Sequence, residues 1–255
     1  MLVETFAEGH SFLHTMDTTA KLVAATVFSL CTALLTTLPI ALIALVCGMA
    51  LLCWAKLPAK LLFRRLLIVN GFIAFLWLTL PVSTPGTPIA SFAEFTVTQE
   101  GIYLSLLITL KSNAIIAAFI ALLATSTITD IGAAFAQLHI PQKISLLFLF
   151  TWRYIHVIIE EYHRLSTAAA LRGFVPSTTR HTYKTYANLI AMILIKSHDR
   201  AERVSAAMKL RGFTGTFHSA TTQQLRLLDI SAAACISCIS IIMLGFEMFH
   251  RMEVL

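Results

Sequence analysis

Residues 203–213 read Arg-Val-Ser-Ala-Ala-Met-Lys-Leu-Arg-Gly-Phe, and residues 164–174 read Arg-Leu-Ser-Thr-Ala-Ala-Ala-Leu-Arg-Gly-Phe. The two copies lie 39 residues apart. Each ends in Arg-Gly, a pair that suits the end of an α-helix, because glycine adopts the left-handed backbone found there and a cation suits the helix dipole. We therefore predict that two helices end at these motifs.

Composition indicates what surrounds the two motifs. The chain has 255 residues, of which 57% are hydrophobic and only 13% are charged. A soluble domain carries about 25% charged residues. The low charge predicts an all-α integral membrane protein that contacts the lipid bilayer. The net charge of +6 is then explained by basic residues on the cytoplasmic side rather than by nucleic-acid binding.

Five apolar stretches approach the length of about 20 residues that crosses a bilayer. A break at Thr36-Thr37-Leu38-Pro39 predicts a short hairpin between the first two, and Asp17 is a candidate N-cap for the first. The 82–100 segment, which has no Lys or Arg, is predicted to be a loop. The stretches lie at residues 22–38, 40–54, 66–81, 101–125 and 227–249.

Two further helices are predicted to be long but not membrane-spanning. One starts at Pro141 and ends near Gly173, and the other runs from about Tyr183 to Gly212. Each has an apolar core of only about nine residues, half of what a span requires, and a charged second half. We expect both helices to lie in or below the membrane interface.

The basic residues predict the orientation. Twelve of the nineteen Lys and Arg lie between Lys143 and Arg226, and four lie in 56–65. The positive-inside rule places both segments and the N-terminus in the cytoplasm and the 82–100 loop outside. The predicted domains are an N-terminal membrane domain of four spans (1–125), a cytoplasmic or interfacial module (126–226) and a C-terminal span (227–255).

Each Arg-Gly pair and the residues that precede it on the helix form the predicted site. Positions four apart share one helix face, so small alanines between arginines make a smooth basic ridge. Such a ridge can dock into a groove on a protein partner, with guanidinium groups on carboxylates. The predicted docking residues are Arg164, Ala168, Leu171, Arg172 and Gly173 in the first copy, and Arg203, Ala207, Leu210, Arg211 and Gly212 in the second.

These motifs resemble those of a known transporter family. The paired Arg-Gly ends are similar to the Ala-Arg-Gly signatures of the transmembrane (T) component of energy-coupling factor (ECF) transporters, with Leu171 and Leu210 in place of the alanine. Ser11-x-x-His14-x-x-Asp17-x-x-x-Lys21 resembles that family's N-terminal motif, with Thr18 and Thr19 in place of its Pro-Arg. The segment from Asp199 to Phe213 is the most specific match.

The resemblance implies partners and a role. In that family, two long crossed helices form a cytoplasmic coupling module that docks onto two ABC-type ATPase subunits, and the membrane helices hold a substrate-binding S component. It implies a non-catalytic chain in a bacterial or archaeal cell membrane, which binds no cofactor while its partner subunits bind ATP. The residues found within these motifs favour the cobalt or nickel branch of the family over a vitamin importer.

Polar residues within the apolar segments suggest other roles. Lys111 and Asn113 lie in the middle of the fourth span, where a charge is costly and marks either a functional site or packing against helix partners. His10 and His14 stand one helical turn apart, but two ligands make a poor metal site, so no metal site is predicted.

Three other function classes remain open. A membrane-embedded transferase would need clustered acids for Mg²⁺, whereas the thirteen Asp and Glu are dispersed. A secondary carrier would show inverted repeats, whereas this repeat is direct. An ordinary ABC permease would dock its ATPases through one short coupling helix in each half.

Overall fold

The computed structural model describes residues 12–92, 95–213 and 227–254. These residues form nine α-helices and one two-stranded hairpin. In chain order, the elements are α1 Phe12–Thr15, α2 Thr18–Leu34, α3 Leu38–Ala55, α4 Ala59–Ser83, β1 Pro88–Phe92, β2 Phe95–Thr98, α5 Gln99–Leu122, α6 Ile128–Gln137, α7 Gln142–Leu171, α8 Arg180–Leu210 and α9 Leu227–Val254.

The chain forms two compact units, and the division falls within α6. Among the described residues, the membrane unit comprises residues 12–134 and 227–254, and the two-helix unit comprises residues 135–213. The predicted domain boundaries at 125 and 226 stay a prediction.

The membrane unit contains four helices long and apolar enough to cross a bilayer: α3, the 62–83 part of α4, α5 and the 227–249 part of α9. The first predicted span, α2, is also an apolar helix but has only 17 residues. The prediction of an all-α membrane protein is confirmed. Of the five predicted spans, four match helices that could cross a bilayer, and the first has the 17 residues predicted for it but begins and ends four residues earlier.

Small residues let α3 and α5 approach closely. Gly48 of α3 faces α5, where an added Cβ would lie 2.8 Å from the Ala114 carbonyl oxygen and 3.3 Å from the Ala117 Cβ. Ala44 on α3 and Ala121 on α5 are fully buried in the same core. Without a hydrophobic driving force in lipid, such close backbone packing is a main source of helix association.

Several predicted boundaries are confirmed and others are corrected. Asp17 caps α2 by accepting a 2.7 Å hydrogen bond from the Thr19 amide. The break between α2 and α3 occurs at residues 35–37, and Pro39 lies in the first turn of α3, where its missing N–H costs nothing. Pro141 is the N-cap of α7 rather than its first residue.

The 82–100 segment is not a plain loop. Its strands β1 and β2 pair antiparallel between α4 and α5, and α5 starts at Gln99. The Thr98 hydroxyl caps α5 by accepting from the Gly101 amide at 3.3 Å, and it donates to the Thr84 carbonyl oxygen at 2.9 Å. The prediction was wrong because strand pairing between two short segments leaves little periodicity in sequence.

The two-helix unit contains α7 and α8, which have 30 and 31 residues. Neither is among the helices that could cross a membrane in the described part of the chain, which agrees with their short apolar cores. The Thr179 hydroxyl caps α8 by accepting from the Thr182 amide at 3.4 Å. Residues 172–179 connect the two helices.

Candidate docking site

The end of α7 has the geometry that its Arg-Gly pair predicts. Gly173 has a φ of +83°, in the left-handed region. Its amide donates to the Ala170 carbonyl oxygen at 3.0 Å, and the Phe174 amide donates to the Ala169 carbonyl oxygen at 3.1 Å. These two bonds define a Schellman motif, which satisfies carbonyl groups that a helix end otherwise leaves unpaired.

The end of α8 repeats this geometry. Gly212 has a φ of +79°. Its amide donates to the Lys209 carbonyl oxygen at 3.0 Å, and the Phe213 amide donates to the Met208 carbonyl oxygen at 3.0 Å. The repeat in sequence is thus a repeat in backbone structure, and the prediction that both motifs end helices is confirmed.

All ten predicted docking residues are exposed within the described residues. Leu171 and Leu210, which precede the Arg-Gly pairs, are 85% and 89% exposed. A large apolar side chain at that exposure gains nothing from burial within this chain. The exposed set is Arg164, Ala168, Leu171, Arg172, Gly173, Arg203, Ala207, Leu210, Arg211 and Gly212.

The basic ridge keeps its charge available at the surface. Arg164 lies 3.8 Å from Glu160 one turn earlier, but the two side chains are 73% and 70% exposed. A pair this open to water holds its partners weakly. The guanidinium group can therefore exchange Glu160 for a carboxylate on another molecule.

The helices α7 and α8 run antiparallel within their unit. Lys196 donates a hydrogen bond to Glu161 in the middle of both helices, and the Phe174 ring lies 5.7 Å from the Tyr186 ring near their connection. The first Arg-Gly end therefore lies beside the start of α8, and the second lies at its far end. The stretch from Tyr186 to Arg211 spans roughly 40 Å at 1.5 Å per residue.

A groove of about 590 Å³ lies between α7 and α8. Its lining is mainly apolar, with Phe150, Val157 and Met208 among its residues. The hydrogen bond from Lys196 holds the pKa of Glu161 below its usual range. This charged pair links the two helices across the groove.

The polar residues of the fourth span pair with other helices of the membrane unit. The Lys111 ammonium group donates to the Leu35 carbonyl oxygen at 2.7 Å, at the end of α2. The amides of Asn113 and Asn70 exchange two hydrogen bonds of 3.0 Å between α5 and α4. Of the two predicted roles, these contacts support packing against helix partners, as hydrogen bonds between membrane helices commonly do.

Two buried charged residues have partners that the sequence did not predict. Glu247 of α9 is 1% exposed and accepts hydrogen bonds from Thr36 and Thr37 between α2 and α3. Lys21 is also 1% exposed and donates to the Ser126 hydroxyl at 3.1 Å. The N-terminal motif marked Lys21, but no local pattern indicates a partner 105 residues away.

The described residues contain no group of three or more His, Cys, Asp or Glu that could hold a metal ion. His14 lies in α1, whereas His10 lies outside the described residues. The expectation that His10 and His14 form no metal site therefore stays untested.

The apolar helices and the paired helix ends define a multi-pass membrane protein of the all-α class. A family model described as "Cobalt transport protein" (CbiQ) matches residues 9–224. The chain therefore belongs to the CbiQ family.

Individual relatives agree with this assignment. The energy-coupling factor transporter transmembrane protein EcfT of Acidaminococcus fermentans is 27% identical over 221 residues, which cover 81% of each chain. The EcfT of Staphylococcus aureus is 26% identical over 245 residues, which cover 89% of this chain and 88% of that protein. An uncharacterized protein of Methanocaldococcus jannaschii is 26% identical over 122 residues, or 48% of this chain and 45% of that protein.

Proposed function

We propose that this chain is the T component of an ECF transporter and couples two ATPase subunits to a membrane S component. The observation that carries the proposal is the pair of matching Schellman ends on α7 and α8, each exposed and each preceded by an arginine and a leucine. The family match and the EcfT relatives support it.

The antiparallel arrangement suggests how two ATPase subunits are engaged. Because the Arg-Gly ends of α7 and α8 lie roughly 40 Å apart, each end can contact a subunit of its own. Arg172 and Arg211 would bind carboxylates on the two subunits, with Leu171 and Leu210 filling apolar pockets beside them. Motion of the subunits would then act on both ends of one linked helix pair.

The chemistry belongs to the partners in this proposal. ATP binds to and is hydrolysed on the ATPase subunits, while this chain is non-catalytic and carries no cofactor of its own. The Glu161–Lys196 pair keeps α7 and α8 together, so that movement at one end changes the position of the other. The proposed location is the cell membrane, with the N-terminus and the helices α7 and α8 in the cytoplasm.

The proposed cargo is cobalt or nickel ions, which the S component would recognise. The family description as cobalt transport proteins supports this choice. The alternative is a vitamin importer with the same architecture. Purifying the complex and identifying the membrane protein that accompanies this chain decides between them.

Charge reversal at the two helix ends tests the docking proposal. Arg172→Glu with Arg211→Glu should abolish ATPase co-purification and transport, because two attractive contacts become repulsive. Membrane insertion should be unchanged, since both side chains are exposed. The matched control is Lys56→Glu with Lys60→Glu, which reverses two exposed cations four residues apart in the membrane unit, outside the two-helix unit. Normal ATPase co-purification by the first double variant would refute docking through these ends.

A further inference from the structure

A basic cluster lies around the start of α4 and is defined as Lys56, the C-cap of α3, with Lys60, Arg64 and Arg65 of α4, all of which are exposed. Within the described residues, no carboxylate pairs with Lys56, Lys60 or Arg64. The positive charges of these three residues are therefore not compensated by the described part of the chain.

This cluster lies where a membrane span begins. The 62–83 part of α4 is apolar and long enough to cross a bilayer, so its first residues lie at headgroup depth. Trp54, at the end of the preceding helix, is 71% exposed. Exposed tryptophans of this kind mark the level of the membrane interface.

One face of α4 runs from the cations into exposed apolar side chains. Lys60 and Arg64 are four residues apart, and Leu67 and Ile68 follow on the same side, one turn deeper. Leu67 and Ile68 are 57% and 68% exposed. Gly71 comes next, and no atom lies within 4 Å of the position its Cβ would occupy.

The same face continues with Phe72 and Phe75, which are 68% and 58% exposed. Only 11% of this span is buried in the protein. A polar end followed by an open apolar face matches an amphiphile with an anionic head and a hydrocarbon tail.

We propose that this face of α4 is a binding site for an anionic phospholipid. Lys60 and Arg64 bind the phosphate, Lys56 and Arg65 add to the positive field, and an acyl chain lies along Leu67, Ile68 and the gap at Gly71. Guanidinium and ammonium groups are the side chains that bind phosphate best, and clusters of four or more beside a span favour anionic lipids.

Lipid retention by the purified full-length chain tests this proposal. The protein is reconstituted with equal amounts of phosphatidylglycerol and phosphatidylcholine, extracted, and its bound lipids are counted by native mass spectrometry. We expect the wild type to retain phosphatidylglycerol about tenfold more than phosphatidylcholine. Lys60→Gln with Arg64→Gln should bring this ratio close to one.

Two matched variants separate a site from a general charge effect. Arg180→Gln with Lys184→Gln removes two exposed cations with the same spacing at the start of α8, which is not a candidate span, and it should keep the preference. Lys60→Arg with Arg64→Lys should keep it as well, because the charge is conserved. Equal retention of both lipids by the wild type, or equal losses in both glutamine variants, would overturn the proposal. So would a membrane-protein partner that stays bound to this face and excludes the lipid.

Discussion

Lys196 of α8 donates a hydrogen bond to the carboxylate of Glu161 on α7, and it thereby links the middles of the two longest described helices. The Glu161 side chain is 14% exposed, whereas that of Lys196 is 44% exposed. The link is thus shielded on the acidic side and accessible on the basic side. It is suited to hold the helices together while their ends engage partners.

This link predicts a pH dependence. The pKa of Glu161 is lowered by the hydrogen bond from Lys196, so its contribution to stability is present above the unfolded carboxyl pKa of about 4.3 and is lost as pH falls through the lower folded value. At pH 7, Glu161→Gln should lower the apparent Tm of the solubilised protein by about 2 °C. The difference from wild type should be smaller at pH 3.

A neighbouring residue provides the control for this experiment. Glu160 lies beside Glu161 but is 70% exposed and pairs with Arg164 on its own helix. Glu160→Gln should leave the apparent Tm within about 1 °C of wild type at both pH values. A Tm difference for Glu161→Gln that persists unchanged at pH 3 would show that the charge of Glu161 is not what stabilises the helix pair.

The left-handed glycines at the helix ends predict a graded series of variants. Gly173 and Gly212 have φ values of +83° and +79°, where a side chain with a Cβ costs about 1–2 kcal/mol. Alanine at both positions should disturb the Arg-Gly ends and weaken ATPase co-purification several-fold. Asparagine, which tolerates this backbone better, should retain more binding.

Gly71→Ala in α4 is the control for the glycine series, because its Cβ would meet open space and its backbone is not left-handed. It should leave ATPase binding unchanged. Equal binding by the alanine and asparagine variants at the helix ends would indicate that the backbone conformation there is unimportant for docking.

Close packing of α3 on α5 predicts sensitivity at Gly48. A Cβ at this position would lie 2.8 Å from the Ala114 carbonyl oxygen, so Gly48→Ala must push the helices apart. The expected cost is about 1–3 kcal/mol, measured by unfolding in mixed SDS micelles. Gly245→Ala in α9 should be neutral or slightly stabilising, because no atom lies within 4 Å of its Cβ position. A similar cost at both glycines would contradict this explanation.

Substitution of Glu247 is expected to cause the largest loss of stability among these positions. Its Oε1 accepts from the Thr36 amide at 3.0 Å, and its Oε2 accepts from the Thr37 hydroxyl at 2.6 Å. Glu247→Ala removes the acceptor that these two part-buried hydrogen bonds share and should cost about 3 kcal/mol in SDS unfolding. Glu247→Gln keeps one carbonyl acceptor and should cost less.

Lys111 provides an independent check on this end of the membrane unit. It donates to the Leu35 carbonyl oxygen, next to the two threonines. A double-mutant cycle of Glu247→Gln with Lys111→Met should therefore show non-additive losses of stability, because both residues hold the same turn. Additive losses would mean that the two residues act separately.

Local features of the chain were largely readable from sequence. Asp17 and the Arg-Gly pairs act on backbone groups within a few residues of themselves, so their chemistry and spacing are sufficient to place helix ends. The lengths of α7 and α8 also follow from the helix-breaking residues at their ends. The composition of the apolar segments identified a membrane protein, because every helix that crosses a bilayer needs about 20 mainly apolar residues.

Long-range relationships required the tertiary structure. Lys111 and Asn113 were recognisable from sequence as polar residues within a span, where they are costly. The sequence did not indicate that Leu35 and Asn70 are their hydrogen-bond partners. The antiparallel pairing that separates the two Arg-Gly ends is likewise a property of the folded helix pair.

The sequence by itself determined that this is an all-α membrane protein with two matching helix ends, because hydropathy and capping act over one or a few helical turns. The tertiary structure alone decided which buried charges meet. Glu247 reaches Thr36 across 211 residues, and Lys21 reaches Ser126 across 105. Such pairs form because each group needs a partner once it leaves water, and only the packing of helices determines which partner is near.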